Sequence, residues 1–191
     1  MKKLILSFAI VAIATLGANA QVKFGIKAGV NISTLRGDDV SDAKSLIGVY
    51  GGGLVNIPIS TMFSVQPEVL YSGEGAKDGS DKLMLSYVNI PVLLKYSNPS
   101  GFFAELGPQI GILISAKAKS GGTSDDIKEF LKSSNFSLAG GLGYNFTPSI
   151  GAGIRYTLGL ANIGKDSGSD LKTGTISIGL HYMFGGAGAS K

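Results

Sequence analysis

Val22-Lys23-Phe24-Gly25-Ile26-Lys27-Ala28-Gly29-Val30-Asn31-Ile32-Ser33 alternates without a break. Apolar side chains hold the even positions, and lysine, glycine, asparagine or serine the odd ones. Successive side chains of an extended strand point to opposite faces, so this stretch reads as a strand with one apolar and one polar side. Seven more stretches follow the same rule, which places strands at 22–33, 46–57, 62–73, 83–96, 102–115, 136–146, 149–162 and 174–184. The charged or titratable residues inside them are Lys23, Lys27, Glu68, Lys95, Glu105, Arg155 and His181, and every one falls on the polar parity.

The connections alternate in length. Residues 34–45, 74–82, 116–135 and 163–173 are long, polar and rich in Gly, Ser, Asp and Lys. Residues 58–61, 97–101 and 147–148 are short, and each holds a proline: Pro58, Pro99 or Pro148. Short turns at one end and long loops at the other are the layout of a bacterial outer-membrane barrel. Twelve residues rise about 40 Å, which a tilt of 35–45° reduces to about 30 Å, enough to cross an apolar band about 25 Å tall. Lysine or arginine facing lipid at mid-depth costs about 2–4 kcal/mol, and none stands there. The fold expected is all-β, an eight-stranded antiparallel up-and-down transmembrane β-barrel. Phe24, Phe63, Tyr96, Phe102, Tyr144, Phe146, Tyr182 and Phe184 gather at the short-turn end as one aromatic girdle, against Tyr71 and Phe136 at the other rim.

The termini add an export signal. Lys2 and Lys3 precede an apolar run from Leu4 to Leu16, and Ala18-Asn19-Ala20 is a small-x-small cleavage site, so 1–20 reads as a cleavable signal peptide. Losing both lysines lowers the formal charge from +4 to +2. The barrel domain then occupies 21–184 and a flexible tail 185–191. The absence of cysteine excludes disulfides, zinc-thiolate sites and a lipidated N-terminal cysteine. The outer membrane of a Gram-negative bacterium is the expected location, with its lipid as partner.

Inside the strands, Glu68 and Glu105 are expected to pair with Lys27, Lys95 and Arg155 across a narrow lumen, with His181 on the same face. Eight strands leave an interior just wide enough for side chains to fill it. Glycines such as Gly25, Gly29, Gly107, Gly111, Gly141 and Gly179 make room for them. A packed polar lumen is therefore favoured over a narrow channel for small solutes. An apolar lumen holding a ligand would need the reverse of this parity. No catalytic, cofactor or metal site is expected: His181 stands alone with Ser177 two inward positions away, and Asp38, Asp39 and Asp42 form a loop cluster. Scattered lysines speak against nucleic acid. Two local features carry further expectations. Residues 125–132 place apolar side chains at helical spacing, which predicts a short helix on the barrel mouth or a loop with apolar anchors. Pro67, Pro91 and Pro108 lie inside strands, which predicts bulges there.

Several segments also match a known pattern. Gln66-Pro67-Glu68-Val69-Leu70-Tyr71-Ser72 is followed by Tyr87-Val88-Asn89-Ile90-Pro91-Val92-Leu93-Leu94-Lys95-Tyr96. Then come Glu105-Leu106-Gly107-Pro108-Gln109, Gly141-Leu142-Gly143-Tyr144, Arg155-Tyr156 and the closing Ser177-Ile178-Gly179-Leu180-His181-Tyr182-Met183-Phe184. This succession resembles the PorT-like outer-membrane β-barrel family of Bacteroidota over nearly all of the mature chain. The resemblance implies eight strands, with the strand prolines as family features and Glu68, Lys95, Glu105 and Arg155 at the family's inward polar positions. It implies that Tyr182 and Phe184 form the aromatic end read by the barrel-insertion machinery, with periplasmic chaperones as partners during assembly. The family takes its name from a member needed to export secreted proteases, though most similar relatives have no established role. The role expected here is non-enzymatic, structural or as an interaction or secretion-accessory component acting through the extracellular loops beside other envelope proteins. The tail beyond Phe184 departs from the usual aromatic ending.

Overall fold

A computed structural model describes residues 22–36, 44–78, 81–121, 123–164 and 171–184. The proposed signal peptide, the Asp38–Asp42 cluster and the tail after Phe184 lie outside the described residues. Nine strands are described: β1 (Lys23–Arg36), β2 (Lys44–Pro58), β3 (Phe63–Asp78), β4 (Asp81–Ser97), β5 (Phe102–Ser120), β6 (Thr123–Asp126), β7 (Ser134–Asn145), β8 (Ile150–Gly159) and β9 (Lys172–Met183). Each strand except β6 pairs antiparallel with the next, β5 with β7, and β9 returns to β1, so eight strands close a ring. No helix among the described residues is long and apolar enough to cross a membrane, which says nothing against crossing by strands.

The parity rule sorts the side chains as the alternation requires. Phe24, Ile26, Val30, Val69, Val92, Leu106, Ile110, Ile112, Leu142, Ile154 and Ile178 are exposed on the outside. Lys27, Glu68, Lys95, Glu105, Arg155 and His181 are buried inside. An apolar coat over a charged interior is stable only where lipid replaces water outside. At the short-turn end the girdle packs in pairs, with ring centroids 5.4 Å apart for Phe63–Tyr96, 5.8 Å for Tyr144–Phe146 and 5.4 Å for Tyr182–Phe184. Tyr156 joins Tyr71 and Phe136 as an exposed outward aromatic beyond the girdle.

Three local expectations are corrected. Most of the 74–82 connection is strand, because β3 runs on to Asp78 and β4 begins at Asp81. Residues 125–132 form no α-helix: Thr123–Asp126 is β6, which folds back on Lys117–Ser120, and only Lys128–Phe130 makes a 3₁₀ turn. Pairing with a strand already in place outweighs an isolated helix of two turns, which is marginal alone. No register shift falls at Pro67, Pro91 or Pro108; the shifts lie between Ser45 and Tyr50 and between Ser86 and Tyr87. Instead, pairing lapses in register: β2–β3 at Val55–Asn56 opposite Gln66–Pro67, β3–β4 at Glu68–Val69 opposite Ile90–Pro91, and β4–β5 at Val92–Leu93 opposite Gly107–Pro108. A proline has no N–H to give, and the ladder loses a rung without changing phase.

Candidate functional site: the stratified lumen

Inward positions on neighbouring strands fall at matching depths, so the interior is built in layers. The layer nearest the short turns surrounds an open vestibule of about 300 Å³, lined by Lys23, Asn56, Gln66, Lys95, Asn145 and His181 among others. The Lys95 ammonium stands 4.0 Å from the centroid of the Phe103 ring and 3.4 Å from Gln66 Oε1. No carboxylate among the described residues lies within salt-bridge distance of it, so Lys95 does not make the expected ion pair. The His181 ring is edge-on to Phe103, and its Nε2 lies 3.0 Å from Asn145 Oδ1. Ser177 Oγ donates to Asn31 Oδ1 at 2.7 Å, so the structure does not bring Ser177 and His181 together as a pair.

Above the vestibule is the charged layer. Arg155 of β8 donates from Nη1 to Glu68 Oε2 at 2.7 Å and from Nη2 to Glu68 Oε1 at 2.8 Å. Its Nε donates to Glu105 Oε1 at 2.8 Å. The planar guanidinium thus forks onto one carboxylate of β3 and reaches a second on β5, a geometry that a lysine cannot supply. The Lys27 ammonium lies 3.7 Å from Glu68 Oε1 and 3.5 Å from Glu105 Oε1. Gln66 Nε2 donates to Glu68 at 2.8 Å. Four strands on different sides of the ring are tied at one depth. The charges are buried, so their worth depends on every partner being present.

Small residues let these chains in. A Cβ on Gly29 would stand 2.8 Å from the Tyr50 ring, and one on Gly179 would meet the Tyr50 hydroxyl and the Ala28 carbonyl. Gly179→Ala is expected to cost about 1–3 kcal/mol by overpacking. Denaturant unfolding of the refolded barrel, followed by circular dichroism, measures it. An unchanged midpoint would mean that Tyr50 is not wedged between β1 and β9.

The next layer is polar, and sequence reading missed its centre. Glu74, assigned to a loop, is buried inside the barrel and accepts from Ser72 Oγ at 2.8 Å, Asn89 Nδ2 at 2.9 Å and Thr175 Oγ1 at 3.2 Å. Asn31 Nδ2 donates to Ser72 Oγ at 2.8 Å and extends the chain of bonds to β1. A void of about 20 Å³, large enough for about one water, separates this layer from Arg155. The inward parity of Glu74 was the available signal, masked by its neighbours Gly73 and Gly75.

The last layer is apolar. Leu35, Ala76, Leu85, Tyr87, Leu113 and Ala116 form a buried cluster from the strands, closed above by Leu131 and Ile163 of the long connections. Ile127 and Leu171 pack against it. Backbone bonds from Lys132 N to Ile163 O and from Ile163 N to Leu171 O, both 2.8 Å, hold the two connections across the mouth. The apolar anchors Ile127 and Leu131 are thus in place, at the two ends of a 3₁₀ turn rather than on an α-helix.

Known proteins share this architecture. Neisserial surface protein A has a crystal structure that matches with a TM-score of 0.57 at 19% identity, over 83% of this chain and 96% of that one. Ail, the attachment invasion locus protein of Yersinia pestis, matches with a TM-score of 0.52 at 20% identity, over 85% and 98%. At such identities the likeness is one of fold. No curated protein sequence matches. The model of the outer membrane protein beta-barrel domain family matches residues 18–164, well over half of the 191 residues. With its closed eight-stranded ring and apolar coat, the chain belongs to the outer membrane protein beta-barrel domain family.

Proposed function

We propose that this chain is a non-conducting, non-enzymatic outer-membrane barrel whose interior serves its own stability. Its activity in the envelope, as a structural, interaction or secretion-accessory component, belongs to the face built by the long connections, which points out of the cell. The observation that carries this reading is the filling of the lumen: a vestibule open at the short-turn end meets the Arg155–Glu68–Glu105–Lys27 layer, and an apolar plug closes the far mouth. Residues 1–20 are removed on export in this reading, and the insertion machinery and its chaperones engage the Tyr182–Phe184 end. Assignment to the PorT-like branch in Bacteroidota rests on the Pro67-Glu68 and Ile90-Pro91 segments.

The purified protein in a planar lipid bilayer is expected to pass no stepwise current. Discrete steps would replace this reading with that of a narrow solute channel. Deleting the gene and comparing secreted with surface proteomes then separates the remaining roles: loss of exported cargo supports the secretion-accessory role, and an unchanged secretome supports the structural one.

A further inference from the structure

Four lysines form one cross-strand row at the long-connection end of the sheet. Lys44 of β2 lies opposite Lys77 of β3, Lys77 opposite Lys82 of β4, and Lys82 opposite Lys119 of β5. Directly opposed residues of antiparallel strands carry their side chains on one face, and like charges placed so repel each other. All four are exposed. The face is the outward one: Lys82 shares its parity on β4 with Ile90, Val92 and Leu94, and Lys77 shares its parity on β3 with Val69 and Tyr71. Lys117, opposite the outward Met84, adds a fifth cation just below. None of the five takes part in an ion pair among the described residues. Asp126, in register with Lys117, accepts instead from the backbone N–H of Lys128 at 2.9 Å.

Such a row is costly by itself and favourable against an array of anions. Strands about 4.8 Å apart spread it over about 14 Å. Its height narrows the partner. Lys82 stands two residues beyond Met84 and Lys44 three beyond Ile47, the last outward apolar residues on their strands. At about 3.4 Å per residue and a tilt near 40°, the row lies about 5–8 Å above them. Lipid headgroups with their phosphates occupy about 5–8 Å beyond the hydrocarbon. The row therefore stands at the depth of the phosphates of the leaflet it faces, which at the long-connection end is the outer one. We propose that Lys44, Lys77, Lys82 and Lys119 form a binding site for the anionic saccharide headgroup of outer-leaflet lipopolysaccharide. The proposal rests on the reading above in which the long connections face outside.

The test uses the full barrel in detergent with three probes: rough lipopolysaccharide carrying its phosphates, the same glycolipid after enzymatic dephosphorylation, and heparin as a soluble polyanion. K44Q/K77Q/K82Q/K119Q is expected to bind the phosphorylated glycolipid at least tenfold more weakly than wild type, and K132Q to bind as wild type does. Dephosphorylation should produce a loss of similar size in wild type. Unchanged heat-modifiable mobility shows that the quadruple variant folds, as expected for exposed, mutually repelling side chains. Equal glycolipid binding by wild type and variant overturns the proposal, as does lysine-dependent binding of heparin alone. Labelling intact cells with a membrane-impermeant amine reagent separates the two readings. Failure to label Lys77 and Lys82 would sink the outward orientation itself, whereas labelled lysines with unaltered glycolipid binding would sink only this site.

Discussion

Arg155→Met is expected to destabilise the folded barrel by about 3–5 kcal/mol, the usual consequence of removing one partner from a buried ionic cluster. The guanidinium makes three hydrogen bonds to Glu68 and Glu105, both buried, and its loss leaves two carboxylates facing one ammonium. Lys27 stays at 3.5–3.7 Å from them and cannot replace a forked donor. Urea unfolding of protein inserted in lipid vesicles, read by circular dichroism and by heat-modifiable mobility, measures the loss. Adding Glu68→Gln should return part of it, because the double variant leaves one fewer buried charge without a partner. If Arg155→Met unfolds at the wild-type midpoint, the layer is not what holds the ring. If the double variant loses the sum of the single losses, the two side chains act separately.

The second large effect is on the outside. Leu106 lies near the middle of the apolar stretch of β5, 58% exposed on the outward face. Leu106→Arg should cost about 2–4 kcal/mol in a bilayer, whereas Ser115→Arg, near the outer end of that stretch, should cost about 0–1 kcal/mol. For a barrel surrounded by water both changes would fall within about 0.5 kcal/mol of neutral. The difference between the two positions, measured by unfolding from lipid vesicles, therefore reports lipid contact directly. Equal small effects would contradict the membrane reading of the apolar coat.

Much of this was legible in the alternation alone. Ile26 and Lys27 could not share a face, so inside and outside followed for β1 without knowing its neighbours. The same reasoning put Glu68, Glu105 and Arg155 in one interior. It could not say which cation would reach which acid, because depth depends on strand register, and register sets Lys95 beside Phe103 and Gln66 rather than against a carboxylate. Glu74 was lost for a different reason: Gly73 and Gly75 silence the apolar parity just where β3 leaves the hydrocarbon. Lys117, Lys119 and Asp126 read as loop because strands outside lipid need no apolar side to pair. The inward parity of Leu85 and Leu113 likewise did not announce a plug, which needs Leu131 and Ile163 from distant connections.

The three strand prolines have a mechanical consequence. Their lapses in pairing follow one another across β2, β3, β4 and β5, each beside the last. Stiffness against sliding of one strand past the next comes from the rungs between them, so this belt, three of the eight seams, is the compliant side of the cylinder. The opposite arc, from β7 through β9 to β1, keeps an unbroken ladder. The cross-section can then flatten toward one side while Arg155, on the stiff arc, holds Glu68 and Glu105 on the soft one. The charged layer acts as a tie-rod across an unevenly sprung hoop.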